Sequence, residues 1–104
     1  MTKLTNIAFI RAQAGKSDVL GEWLNNLAEP SRQEPGCINY DVHRSLDDPN
    51  IWCVYENWRS KADLDAHFEL THMKEFIAAI PTVVEGALDL HYLSMTTEPS
   101  YAGH

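Results

Sequence analysis

Three features of this 104-residue chain predict an α+β domain: a four-stranded antiparallel sheet with its helices on one face, in the ferredoxin-like order βαββαβ. The first is a hairpin signature between Pro35 and Trp58, where two runs rich in β-branched and aromatic residues flank the turn formers Ser45-Leu46-Asp47-Asp48-Pro49-Asn50. The second is a pair of helical stripes, one on either side of that hairpin. The third is an alternating segment near each end of the chain.

Leu4 to Ala12 sets Asn6, Ala8 and Ile10 against Ile7, Phe9 and Arg11, which predicts the first strand. Ala14-Gly15-Lys16 breaks it. From Ser17 the period changes: Leu20, Trp23, Leu24 and Leu27 fall at i, i+3, i+4 and i+7, the stripe of an amphipathic helix. Pro30 lacks the N–H and crowds the preceding turn, so the regular helix is expected to kink or end there. Glu34-Pro35-Gly36 leads into the hairpin. In its first strand, Cys37 to Arg44, Ile38, Tyr40 and Val42 share one face and Asn39, Asp41 and His43 the other. In its second, Ile51 to Trp58, the buried set is Trp52, Val54, Glu56 and Trp58, opposite Ile51, Cys53, Tyr55 and Asn57. Cys37 and Cys53 are expected on one face of neighbouring strands, as reduced thiols rather than a disulfide.

After the hairpin, Ser60 reads as an N-cap with Asp63 near the capping-box position. Leu64, His67, Phe68 and Thr71 form one helical stripe. Met73, Phe76, Ile77 and Ile80 form a second, capped by Thr71 and ended by Pro81. A last strand is expected over Ala87 to Ser94, with Leu88, Leu90 and Tyr92 on one face. A helix of about eighteen residues spans roughly 27 Å and a strand of about eight roughly 26 Å, so each helix can return the chain along the sheet. Residues 1–95 make the domain and 96–104 a loose tail.

The length suits one core, not two. The hydrophobic fraction of 44% and charged fraction of 22% are those of a folded globular chain. A net charge of -7 argues against nucleic-acid phosphates and anionic membranes as partners. The start of the chain has no signal-peptide apolar region and no run is long enough to span a bilayer, so a cytoplasmic location is expected. With both helices on one side of the sheet, the other side would expose Ile7, Phe9, Ile51, Cys53, Tyr55 and Leu93 among polar neighbours. A patch of that extent predicts a two-fold homodimer with the two sheets packed face to face, a dimeric α+β barrel.

Several residues could carry chemistry. Glu56 stands between Val54 and Trp58 on the buried face. It is either solvated or paired with Arg59 or Lys61 at the rim, or enclosed in a cavity where desolvation makes it a proton acceptor near neutrality. His67, on the stripe between Leu64 and Phe68, is either a core histidine or the imidazole of a catalytic pair with Glu56. Tyr40, Trp52, Trp58 and Tyr92 share the inward face with Glu56, as core or as walls for a flat aromatic substrate, and Asn6 on the first strand joins them as a binding residue. His72 is expected to cap or rim the second helical segment. Because His67 and His72 are five residues apart, and no His-Glu-x-x-His or Cys-x-x-Cys occurs, no metal site is expected. Phosphate loops, nucleophile elbows and nucleotide fingerprints are likewise missing, so no NAD, flavin or ATP is called for.

The ordered set Ala14-Gly15-Lys16, Glu34-Pro35-Gly36-Cys37-Ile38-Asn39-Tyr40, Asp47-Asp48-Pro49-Asn50, Tyr55-Glu56-Asn57-Trp58, Ala62-Asp63-Leu64-Asp65-Ala66-His67 and Thr71-His72-Met73-Lys74 resembles the antibiotic biosynthesis monooxygenase (ABM) family over nearly the whole chain. The resemblance implies a sheet-packed homodimer with a cavity between sheet and helices in each subunit. It also implies oxidation of a quinol or polyphenol by O2 without a bound cofactor, although some members are isomerases or have no known activity. A haem-degrading branch is similar in fold, but this chain carries Ala8, His67 and Ile77 where that branch has its haem-site residues. The expectation is therefore a cofactor-independent quinol monooxygenase using His67 and Glu56. The alternatives are an isomerase or a non-catalytic small-molecule-binding dimer.

Overall fold

The computed structural model describes residues 3–97. The elements are β1 (Leu4–Arg11), α1 (Ser17–Arg32), β2 (Cys37–Arg44), β3 (Ile51–Trp58), α2 (Lys61–Phe68), α3 (Thr71–Val83) and β4 (Asp89–Leu93). The four strands form one antiparallel sheet in the order β2-β3-β1-β4. This is the ferredoxin-like arrangement, with its second crossover helix broken in two. The expected tail falls mostly on residues 98–104, outside those described.

Ala8, Ile10, Tyr40, Val54 and Trp58 from the sheet meet Leu20, Leu24 and Leu27 of α1, Leu64 of α2, and Met73, Phe76 and Val83 of α3 in one core. The hairpin strands run over the residues expected of them. β2 carries a bulge between Cys37 and Asn39, however, and this reverses the strand's parity at its start. Ile38 is turned out and 36% exposed, while Cys37 packs against the core. The two cysteines therefore lie on opposite sides of the sheet rather than on one face, and both are free.

Neither proline ends its helix. Beyond Pro30, α1 continues to Arg32 and closes with short three-residue bonds, Gln33 N–H to the Pro30 carbonyl at 3.2 Å and Glu34 N–H to that of Ser31 at 3.1 Å. Pro81 sits near the end of α3, where the Gln13 side-chain amide donates to the carbonyls of Pro81 (2.8 Å) and Val84 (3.1 Å). A proline in a last turn removes one bond from a place where few remain to be lost.

Ser60 caps α2 as expected, accepting from Asp63 N–H at 3.2 Å and donating to its carboxylate at 2.9 Å. α2 stops at Phe68, and Leu70 in extended conformation restarts the chain as the N-cap of α3. Thr71 is thus the first helical residue and not the cap. Ile77 is 44% exposed, so the buried stripe of α3 is Met73, Phe76 and Val83. β4 covers only Asp89–Leu93 and all five residues are exposed, because it is an edge strand beyond the reach of the helices.

Candidate functional site

The C-terminal end of α1, the start of β2 and the break between α2 and α3 converge on one acid, which is Glu34 and not Glu56. Its side chain is 6% exposed. His67 Nδ1 lies 2.8 Å and 3.0 Å from the two carboxylate oxygens, and His72 Nε2 lies 2.6 Å from one of them. An ionised carboxylate can only accept, so it selects the tautomers that aim His67 Nδ1–H and His72 Nε2–H at Glu34. Each imidazole is left with an acceptor nitrogen on its far side.

Local structure explains how three residues distant in sequence meet. The tight end of α1 delivers Glu34, whose carbonyl then accepts from Cys37 N–H at 3.2 Å. Gly36 follows with φ of +85° and its carbonyl accepting from Arg59 N–H at 2.7 Å. Any Cβ on Gly36 would run into the Asp63 carboxylate, so only glycine lets this connection lie against the start of α2. The break at Glu69-Leu70 separates the two histidines onto different helices and brings their rings to 5.9 Å. Five-residue spacing, which keeps two imidazoles apart on one helix, therefore does not exclude a shared ligand here. That spacing is one ground for expecting no metal here, beside the missing His-Glu-x-x-His and Cys-x-x-Cys motifs, and the fold sets it aside: one ligand atom from each of Glu34, His67 and His72 lies within 4.8 Å of the others.

His67 is 1% exposed, enclosed by Trp58 (ring centroids 4.8 Å apart), Tyr40 (5.8 Å) and Phe68 (5.3 Å). Burial, aided by the charge of His72, lowers its pKa below the usual imidazole range against the opposing hydrogen bond and charge of Glu34. His72, by contrast, is 22% exposed at the side chain. It lines a groove of about 280 Å³ between α1 and α3 together with Val19, Glu22, Trp23, Asn26, Leu27 and Glu75. Space for a ligand thus opens between two helices, α1 and α3.

Glu56 is buried at 4% exposure, as its strand parity predicted, but its partners are neither His67 nor the rim cations. Trp58 Nε1–H donates to it at 2.9 Å, and Asn6, directly across on β1, donates at 3.3 Å. Arg59 and Lys61 pair instead with Asp63 and Asp65. Burial raises the Glu56 pKa to about 7, opposed by the bonds from Trp58 and Asn6 and aided by the charge of Glu34. Asn6 Oδ1 is buried without a hydrogen-bond partner. A protonated Glu56 could donate to it if the amide turned over, so this pair has a use for a proton. The Trp58 indole joins the two sites, bonded to Glu56 and packed on His67.

The remaining expected residues divide. Tyr40 (2% exposed) and Trp58 (0%) belong to the core around His67. Burial and the Glu56 charge push the Tyr40 hydroxyl well above its ordinary pKa, and burial followed by Glu34 and Glu56 raises the Cys37 thiol to about 12. Trp52 is at the opposite end of the sheet, donating to Ser17 Oγ at 3.0 Å beneath the Arg44 guanidinium. Tyr92 faces the expected side, in register with Asn6, but is 48% exposed on the edge strand and walls nothing. A second depression, about 430 Å³ around Arg11 and Asp89, contains no histidine. Glu34 was missed as a site residue. Its sequence signal was an acid just before Pro-Gly, at the seam where a helix turns into a strand.

A family model described as antibiotic biosynthesis monooxygenase matches residues 4–79. The solved structure of PA3566 from Pseudomonas aeruginosa superposes with a TM-score of 0.89 at 31% identity, covering 93% of this chain and 97% of that one. Rv0793 from Mycobacterium tuberculosis superposes equally well (TM-score 0.89) at 24% identity, over 95% and 100% of the two chains, which shows the shared fold. The protein sll1783 of Synechocystis is 39% identical over 56 residues, 54% of this chain and 38% of that protein.

Proposed function

Since the chain belongs to the antibiotic biosynthesis monooxygenase family, we propose that it oxidises a quinol or polyphenol-type aromatic with O2, using His72 as the base that touches substrate. The observation that carries this reading is that His72 lines the α1–α3 groove while its Nε2 lies 2.6 Å from the enclosed Glu34. The groove approaches the lower end of the roughly 300–1,000 Å³ of small-molecule sites and offers Trp23 as an aromatic wall.

Triplet O2 reacts slowly with closed-shell molecules, and a phenolate gives up an electron far more readily than a phenol. His72 Nδ1 would take the hydroxyl proton of the bound aromatic, and Glu34 would stabilise the imidazolium so formed. O2 then adds at a ring carbon ortho or para to that oxygen which still carries a hydrogen, and water leaves from the resulting hydroperoxide. One oxygen atom ends in the quinone and the other in water, which carries away the hydroxyl and ring hydrogens. His67, 1% exposed, is too enclosed to touch an organic substrate. It acts as a positioning residue that holds Glu34 from behind, and the role expected of His67 passes to its neighbour.

The same reading includes a two-fold dimer through the open sheet face, where Phe9 is 42% and Leu93 47% exposed and Ile7, Cys53 and Tyr55 are half-buried. Sedimentation should find a dimer at micromolar concentration and a dissociated or unfolded chain for Tyr55→Asp, which would bury an unpaired charge. The decisive test of the reaction is oxygen uptake by chelator-treated protein with reduced naphthoquinones and polyphenols. Uptake above the autoxidation blank is expected, with His72→Ala slower by about 10²–10⁴-fold and still folded. Uptake that never exceeds the blank across the panel would leave the isomerase or the non-catalytic binding dimer as the reading.

A further inference from the structure

Glu34, His67 and His72 reach one point from three elements: the α1–β2 connection, the last turn of α2 and the first turn of α3. We propose that these three side chains form a binding site for a divalent first-row transition-metal ion, Zn²⁺ foremost.

The donor atoms lie within 4.8 Å of one another, two imidazole nitrogens and one carboxylate oxygen. That set suits Zn²⁺, Co²⁺ or Ni²⁺, and three protein ligands are the number an open zinc site uses. Mg²⁺ and Ca²⁺ ask for six or more oxygens, which this cluster does not offer. Bonds of about 2.0–2.2 Å in tetrahedral geometry hold donors roughly 3.3 Å apart. The carboxylate-to-nitrogen distances here are 2.8 Å and 2.6 Å, so those two pairs must lengthen by roughly half an ångström or more while the two imidazole nitrogens, within 4.8 Å of each other, settle to the same spacing. His72, part-exposed in the first turn of its helix, is the member free to give way.

Electrostatics favours an ion. Among the described residues, the ion-pair contacts of Glu34 are to the two imidazoles, with no Lys or Arg against it. A buried carboxylate faced only by imidazoles is short of positive charge, and a divalent ion supplies it. The hydrogens aimed at Glu34 shift to the far ring nitrogens, which turns His67 Nδ1 and His72 Nε2 into ligands and makes the ion-bound form distinct from the metal-free form in which His72 Nδ1 is the proposed base. Trp58, Tyr40 and Phe68 already clamp the His67 ring, the packing that orients a metal-binding imidazole. The fourth position is left for water or an anion arriving through the groove beside His72.

The experiment uses the full chain freed of metal with a chelator, titrated with Zn²⁺ by calorimetry and with Co²⁺ by visible absorption. One ion per chain, the absorption of a four-coordinate cobalt site and a raised Tm are expected. His72→Ala, at the part-exposed member, should keep the fold and weaken Zn²⁺ by about a hundredfold or more, and Glu34→Gln should do the same. His91→Ala, at the exposed His91–Asp89 pair, should change nothing. Zn²⁺ binding no tighter than millimolar, binding unaltered in His72→Ala, or an equal loss in His91→Ala would each overturn the site. Because the readout is ion binding and not turnover, it can fail while the proposed oxidation stands, and the reverse.

Discussion

Two enclosed acids on the helix side of one sheet, Glu34 and Glu56, show how much partners matter when burial is equal. The Glu34 side chain is 6% exposed and Glu56 is 4% exposed. Glu56 is held by an indole and an amide, which donate hydrogen bonds but exchange no protons, so desolvation dominates and its pKa rises to about 7. Glu34 is held by two imidazoles, which can donate, accept a proton or bind an ion in its place. Only the second also has a neighbour, His72, on an open groove. Glu56 is therefore a carboxyl with a raised pKa in a closed core, and Glu34 is the centre of the proposed site.

The strongest way to break this contrast is to remove the indole that touches both regions. Trp58→Ala should cost about 3–5 kcal/mol of unfolding free energy in a denaturant titration, since Trp58 is fully buried and the space cannot collapse under a rigid sheet. A loss below about 1 kcal/mol would show that the two acids do not depend on that side chain.

A smaller effect isolates Glu56. Its folded pKa of about 7 stands above the ordinary 4.5, so the folded state holds the proton more tightly. Stability contributed by this group is complete below about pH 4.5, falls as the pH rises towards 7 and is flat above, a difference on the order of 3 kcal/mol. Glu56→Gln should remove that slope and exceed the parent in stability at pH 8, read from Tm across the pH range. A slope that persists in the variant would assign the titration elsewhere.

The smallest effect addresses the Glu34 side alone. Gly36→Ala forces a side chain into a positive φ and against Asp63, at a cost of about 1–3 kcal/mol. It should displace Glu34 from the histidines and lower oxygen uptake while leaving most of the pH slope of Glu56, which burial dominates, in place. If both changed together, the two regions would be one unit.

What sequence alone settles here follows from short-range periodicity. Strand alternation buries Glu56, Tyr40 and Trp58, helical spacing turns His67 inwards, and turn formers bound the hairpin, because each depends on residues within a few positions of one another. Alternation failed where an added residue entered, at the Cys37–Asn39 bulge, and near helix ends, where Pro30 and Pro81 have few bonds left to break. Tyr92 kept its parity and lost its burial, since cover depends on strand order across the sheet and not on the strand itself. The partner of His67 belonged to tertiary structure alone. Glu34 lies 33 residues from His67 and 38 from His72. Their meeting depends on how α1 ends, how Gly36 lets the chain pass Asp63 and where α2 breaks from α3. No period in the sequence encodes that convergence, because it is fixed by three element ends packing together and not by any repeat within one element.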